Sequence, residues 1–491
     1  MLSESVLGIK LVSTYNVVQP KKGTSMGIIN FFHLRKVAFI CSFLIVTGCT
    51  DKVYPEKTVT FITISDLHFN PFYNCDIKND TCLIIDKLQA APTSQWKEIL
   101  ERYEQSKQIY NKDTNYFLFH SVLGTLKKRA DDTHAQFVLL LGDVLAHDYN
   151  KNYIKYTGDT SSIGIQNFVN KTMQFITNEL KNRLSSIDVY TVVGNNDTYS
   201  DHYTSEAVFY KNIAKIWSQS IKDEKNRIKM ENDFSKGGYY SLELSKQKKL
   251  RLIVLNTNFF STLGKGLDIE AKEELNWLHN ELSSVHKKNQ KAIIALHIPV
   301  GIDAYQSVIQ SDVVSLWDPQ NTQQFLSQLE YYSNEIIAIF SGHLHTDFFE
   351  IIKFNGRTKN IFLTGTPAVS PLFSNNPGFK LYRYSRNTLE LQGYSTYYYP
   401  LDSIRPEWKL AYDSNKNYKL ACRSCNLMKA MDKIKPSGEL ADSYQKFYML
   451  RKDLQPITKE NKWVPYYCAI RNLTAETYQV CLKNLAFRKG I

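Results

Sequence analysis

Seven residues in this chain have the types and the placing to hold metal ions together. Asp66 and His68 stand in Ser65-Asp66-Leu67-His68, Asp143 follows Gly142, and Asn195 follows Gly194. His297 opens His297-Ile298-Pro299, and His343 and His345 stand in Gly342-His343-Leu344-His345. Carboxylates, imidazoles and an amide oxygen are donors that suit Zn²⁺, Mn²⁺ or Fe. Two such ions about 3.5–4 Å apart need a shared carboxylate, and together they can activate both oxygens of an in-line displacement at phosphorus. Taken singly, each piece is weak. Asp-x-His is common at surfaces, Gly-Asp and Gly-Asn are ordinary turns, and a lone histidine is usually a satisfied core or loop residue.

The ordered set gains weight from the elements that must carry it. Short runs rich in Val, Ile and Leu precede the clusters: Val59–Ile64, Phe137–Leu141, Val189–Val193, Ala292–Leu296 and Ile336–Phe340. Such runs read as strands buried on both faces. A sixth, Leu252–Leu255, leads into Asn256-Thr257-Asn258. Helical stretches such as Ile165–Leu184 and Ile269–His286 lie between them, and this alternation predicts an α/β fold. Open α/β sheets place ligands beyond the C-terminal ends of their strands, so five clusters at five strand ends can converge. Glycine before Asp143, Asn195 and His343 lets the backbone turn sharply and approach the ions closely. Further strands are expected at Phe348–Lys353, Asn360–Leu363, Phe379–Tyr384 and Leu389–Tyr394. Residues 401–491 carry four cysteines and helical patterns such as Leu440–Leu450, and they read as a C-terminal helical extension.

Asp66-x-His68, Gly142-Asp143, Gly194-Asn195, His297 and Gly342-His343-x-His345 resemble, in order, the calcineurin-like metallophosphoesterase pattern. The closer resemblance is to the acid sphingomyelinase-like branch, which also holds endopolyphosphatases and exported nucleotide phosphodiesterases. Gly142-Asp143-x-x-x-His147-Asp148, Leu255-Asn256-Thr257-Asn258, His297-Ile298-Pro299 with Gly301, and Thr366-Pro367-Ala368-Val369-Ser370-Pro371 carry it. The similarity covers about residues 58–396. It implies a four-layer αββα sandwich over residues 58–400, followed by the disulfide-tied extension. It also implies one ion on Asp66, His68 and His345, another on Asn195, His297 and His343, and Asp143 between them. Zinc is the expected metal, with Mn or Fe as alternatives. The expected reaction is hydrolysis of a phosphoester or phosphoanhydride in an anionic substrate. An endopolyphosphatase, a nucleotide pyrophosphatase or phosphodiesterase, and a metal-binding protein without turnover are the competing readings.

One departure bears on the chemistry. Most relatives follow the ligand Asn with His, whereas this chain reads Asn195-Asn196-Asp197. An amide can donate a hydrogen bond to a reacting phosphate but cannot supply a proton. The remaining candidate for a general acid is His147, four residues after Asp143, with Asp148 beside it.

The N-terminus reads as an export signal. His33-Leu-Arg35-Lys36 precedes the apolar run Val37–Val46, which is too short to span a bilayer. Val46-Thr47-Gly48-Cys49 resembles a bacterial lipobox, implying cleavage before Cys49 and a membrane anchor on its thiol. Residues 1–48 are then a signal peptide, with Met26 as an alternative start, and residues 49–57 a lipidated linker. The expected location is the periplasm or cell surface of a bacterium. The net charge of +12 comes without a dense basic run, which argues against nucleic-acid binding and suits an anionic substrate. Six further cysteines fall as near pairs, 75/82, 422/425 and 468/481, and predict three local disulfides in an oxidising compartment. Cys422-Arg-Ser-Cys425 also has the spacing of a redox or zinc motif.

Overall fold

The strand-forming runs assemble into two six-stranded sheets. The computed structural model describes residues 58–488, apart from 76–81, 105, 245–248, 355, 357–358, 419–425 and 451–462. Cys49, the segment before it and the Cys422/Cys425 pair lie outside the described residues.

The first sheet holds β1 (Thr58–Ile64), β2 (Phe137–Leu140), β3 (Asp188–Thr191), β10 (Gly378–Ser385), β11 (Leu391–Tyr398) and β12 (Lys409–Asp413), in the order β12-β11-β10-β1-β2-β3. The second holds β4 (Tyr240–Glu243), β5 (Leu250–Val254), β6 (Lys291–Ala295), β7 (Ile336–Ser341), β8 (Phe349–Ile352) and β9 (Ile361–Gly365), in the order β4-β5-β6-β7-β9-β8. Strands β1, β2 and β3 run parallel, as do β5, β6, β7 and β9. All the strands that lead into the candidate metal-ligand clusters belong to these parallel sets.

The sheets pack face to face through aromatic and hydroxyl side chains. Phe61 and Tyr382 of the first sheet meet the ring of Phe340 at centroid distances of 5.2 and 4.8 Å. Thr63 and Thr366 share a hydrogen bond of 2.7 Å, and the Tyr240 hydroxyl donates to the Thr191 carbonyl at 3.0 Å. Helices cover the outer faces. Tyr116–Thr133 and Ser162–Arg183, capped by the side chains of Asn115 and Ser161, lie on the first sheet. Asp268–Lys287 lies on the second, with Pro319–Tyr331 beside it. The result is the expected four layers.

Two strands were not legible as strands. Both β4 and β12 are short edge strands whose sequences, Tyr-Ser-Leu-Glu and Lys-Leu-Ala-Tyr-Asp, contain little apolar run. Pairing with a neighbour rather than local pattern makes them strands. With β12, the segment after residue 400 begins by extending the first sheet and turns helical only afterwards. Its helices Glu439–Tyr448, Trp463–Ala469 and Ala475–Arg488 follow, the last two joined by the Cys468–Cys481 disulfide. Cys75–Cys82 is also paired.

A buried ion pair ties this C-terminal part to the core. Lys380 Nζ, fully buried, lies 2.7 Å from Asp347 Oδ1 and donates to Thr364 and to the Gly365 carbonyl. Asp347 also accepts from the Thr396 hydroxyl at 2.8 Å and from the Tyr412 hydroxyl of β12 at 2.9 Å, so every strong polar group in the cluster is satisfied. Removing one partner of such a pair strands the other charge and typically costs about 3–5 kcal/mol. We expect Lys380→Met to destabilise the protein by about that amount in urea unfolding, and a second change, Asp347→Leu, to recover part of the loss. A single variant with wild-type stability would show the pair to be dispensable.

Candidate active site

Each ligand cluster sits where a parallel strand ends. The loop after β1 supplies Asp66 and His68, the loop after β2 supplies Asp143, and the loop after β3 supplies Asn195. From the second sheet come His297 after β6 and His343 and His345 after β7. The loops lie at one rim of the two packed sheets, and the structure brings all seven residues together.

The donor atoms form two groups around one carboxylate. His68 Nε2 lies 3.1 Å from His345 Nε2, and His345 Nε2 lies 3.4 Å from Asp66 Oδ1. His297 Nε2 and His343 Nδ1 lie 3.1 and 2.9 Å from Asn195 Oδ1. Asp143 Oδ2 belongs to both groups, 3.4 Å from His68 Nε2 and 3.3 Å from His297 Nε2. Donors bound to one ion at about 2.0–2.2 Å stand roughly 3–3.5 Å apart, which is the spacing found here.

Tautomers sharpen the fit. His68 Nδ1 lies 3.0 Å from the Leu145 carbonyl and His297 Nδ1 lies 2.7 Å from the Leu141 carbonyl, so each Nδ1 carries the proton. Each Nε2 then turns a lone pair toward carboxylate or amide oxygens. That arrangement is repulsive unless a proton or a cation lies between, and it has the chemistry of a metal-ligand set. The residues fit two divalent ions.

The backbone is bent to reach this arrangement. Asp66, His68, Asp143, His343 and His345 all have positive φ, between 41° and 71°. A non-glycine residue in that region typically costs about 1–3 kcal/mol and persists only where its surroundings enforce it. Hydrogen bonds between the loops do so here. Asp66 and His68 donate from their backbone to the Gly142 and Asp143 carbonyls at 3.0 and 2.9 Å, and the His343 N–H donates to Asp66 Oδ1 at 3.1 Å. Gly194 is required by close approach, because a Cβ there would overlap the backbone nitrogen and carboxylate of Asp143.

Asn196 and Asp197 brace Asp143. The backbone N–H of Asn196 donates to Asp143 Oδ1 at 2.8 Å, and its side-chain amide donates to Oδ2 at 2.7 Å. Asp197 accepts from Val144 and Leu145 through Oδ1 and from Gly194 through Oδ2, joining the β2 and β3 loops. Sequence reasoning noted Asp197 only as the third member of a triplet.

His147 lies beside the first donor group, its ring stacked on that of His68 at 4.0 Å. Its Nδ1 is 3.1 Å from Asp113 Oδ1, its backbone N–H donates to Asp113 Oδ2 at 2.9 Å, and Ser370 donates to Asp113 Oδ1 at 3.0 Å. Burial opposes the charged imidazolium, but the Asp113 hydrogen bond and charge outweigh it and hold His147 above its ordinary value. Sequence reasoning missed Asp113, which follows no strand and sits in no cluster. Asp148, by contrast, is exposed and pairs with Lys151 at 2.8 Å. A cleft of about 1070 Å³ opens over the site, lined by His147, Asn196 and His343 and walled by Tyr203, Tyr305, Phe373 and Tyr448.

Protonation follows from the same geometry. Burial lowers His68 to about 4 and His343 to about 3, and it lowers His345 as well, so these rings are free bases at neutral pH. Burial also raises Asp66, to about 7. His297 goes the other way: burial pushes it down, but the Asp143 charge and hydrogen bond outweigh this and raise it to about 9. Without ions, then, protons on Asp66 and His297 relieve the site. Both values lie above the ordinary ones, so the stability these protons contribute is full at low pH and is lost as pH rises through about 7 and about 9. Ions bind the deprotonated forms. The gain in Tm on adding Zn²⁺ or Mn²⁺ to metal-free protein is therefore expected to grow between pH 6 and pH 9. A gain that is constant or shrinks over that range would contradict this.

Comparison with known proteins agrees with the geometry. The model of the calcineurin-like phosphoesterase family matches residues 59–347, and that of the acid sphingomyelin phosphodiesterase C-terminal region matches residues 361–488. The chain is 24% identical over 450 residues to mouse acid sphingomyelinase-like phosphodiesterase 3b, covering 87% of this chain and 90% of that protein. It is 24% identical over 456 residues to human cyclic GMP-AMP phosphodiesterase SMPDL3A, covering 88% and 91%. Sphingomyelinase phosphodiesterase C of Dictyostelium discoideum is 25% identical over 295 residues, covering 55% and 63%. The chain belongs to the calcineurin-like phosphoesterase family and is a metallophosphoesterase of the phosphoric diester hydrolase class.

Proposed function

We propose that this enzyme hydrolyses a phosphodiester or phosphoanhydride of an anionic substrate with water as the nucleophile, at a site holding two divalent ions. One observation carries the reading: a single carboxylate oxygen, Asp143 Oδ2, faces ring nitrogens of both donor groups, at 3.4 and 3.3 Å. Asp66, His68 and His345 would hold one ion, Asn195, His297 and His343 the other, and Asp143 both. Four imidazoles among seven ligands favour zinc, with Mn or Fe as alternatives. When bound, such ions polarise phosphoryl oxygens and bring the pKa of water near neutrality.

The chain's own residues supply orientation and a proton. Asp113 holds His147 by Nδ1 and leaves Nε2 to give a proton to the leaving oxygen. Asn196 lines the cleft, and the second hydrogen of its amide is available to a phosphoryl oxygen. Export is supported by the N-terminal apolar run and by the Cys75–Cys82 and Cys468–Cys481 disulfides, which suit an oxidising compartment. Anchoring through Cys49 rests on the sequence Val46-Thr47-Gly48-Cys49 alone. No described helix is long and apolar enough to cross a membrane.

The candidate substrates fall into two groups. The relatives' names point to cyclic dinucleotides and sphingomyelin, whereas Asn196 in place of histidine favours polyphosphate or nucleotide anhydrides. A panel of these four with bis(p-nitrophenyl) phosphate, in Zn²⁺ or Mn²⁺ and in EDTA, separates them. Metal-dependent turnover of at least one is expected, and Asp143→Ala should abolish it while the fold is kept. Wild-type activity in that variant would refute the shared-carboxylate reading. A positioned histidine acid contributes about 10²–10⁴-fold where the leaving group needs a proton. His147→Ala should therefore lose about that much on an alkyl ester and less than about tenfold on a nitrophenyl ester. Equal losses on both would make His147 structural.

A further inference from the structure

The Asn256-Thr257-Asn258 turn after β5 contributes no metal ligand, yet its side chains reach two of the ligand-bearing loops. Thr257 Oγ1 accepts from the backbone N–H of Ile298, the residue after His297, at 2.8 Å. Asn258 Nδ2 donates to the carbonyl of Gly194, the residue before Asn195, at 3.0 Å. The turn is itself anchored: the Asn256 N–H donates to the buried Glu274 carboxyl at 2.7 Å, and Asn256 Nδ2 donates to the Tyr210 hydroxyl and the Gly237 carbonyl, each at 2.9 Å. Asn256, Thr257, Asn258 and Glu274 are all buried.

The pattern is one-sided. Both pinned peptides flank ligands of the same donor group, that of Asn195, His297 and His343. The other group is braced differently: His343 and the β2 loop hold Asp66 and His68, and Asp347 fixes the chain after His345. We infer that Thr257 and Asn258 are positioning residues for one ion of the pair, setting the affinity of the Asn195–His297–His343 side while leaving the Asp66–His68–His345 side nearly untouched.

The inference rests on the two-ion reading, and its test separates the two. Metal-free wild-type protein, Thr257→Val, Thr257→Ser and Asn258→Ala are dialysed against graded free Zn²⁺, and bound metal is counted by mass spectrometry. Loss of a residue that orients a ligand typically weakens metal binding about 10–100-fold. Wild type and Thr257→Ser should bind two ions. Thr257→Val and Asn258→Ala should bind one at the wild-type midpoint and the second only when free Zn²⁺ is raised by about that factor. Should Thr257→Val fail to fold, Asn258→Ala decides, since it removes one hydrogen bond from the other loop. Two ions retained at wild-type affinity, or both lost together, would overturn the inference. One ion in wild type would instead overturn the two-ion reading.

Discussion

The carboxylate of Asp143 lies between the ring nitrogens of His68 and His297, and the rest of the molecule is arranged to keep it there. Its Oδ2 faces His68 and His297 at about equal distance, in a space where burial removes the water that would otherwise screen them. Acceptors crowded at such spacing repel one another in a low-dielectric interior, and the repulsion becomes attraction only when positive charge enters. A site of this kind has to be held against its own electrostatics by the surrounding fold. That accounts for the five candidate ligands at positive φ, held by hydrogen bonds between the loops.

The division of labour between the sheets follows. The first sheet presents Asp66, His68, Asp143 and Asn195 on three parallel strands, and the second presents the remaining histidines on two. A cluster drawn from both sheets exists only while the sheets are packed, and the Phe61–Phe340–Tyr382 contact and the buried Lys380–Asp347 pair hold them together. Asp347 is the sharpest case. It stands two residues after His345, and its partners include Tyr412 of the last strand. The C-terminal segment thereby reaches the loop that carries His345.

Much of this was legible in the sequence, for a physical reason. Strands buried on both faces must be continuously apolar, so the polar clusters that follow them stand out, and all seven candidate ligands lie in such clusters. The layered architecture followed from the same runs. What was not legible depends on contacts between distant segments. Asp113 meets His147 across 34 positions of sequence, and nothing local distinguishes it from a surface aspartate. The bracing roles of Asp197, Thr257 and Asn258 are hydrogen bonds to backbone atoms, which leave no spacing pattern. Edge strands β4 and β12 are strands by pairing. The positive φ values at aspartate and histidine could not be read from residue type, which for these positions gives no turn signal as glycine does.

The central claim is that one carboxylate oxygen joins two ions into a single centre, and electron paramagnetic resonance of the Mn²⁺-loaded protein tests it most directly. Two Mn²⁺ ions about 3.5–4 Å apart on Asp143 should be magnetically coupled, giving the multiline spectrum of an interacting pair. A six-line spectrum of isolated Mn²⁺ at two equivalents bound, with no sign of coupling, would contradict it.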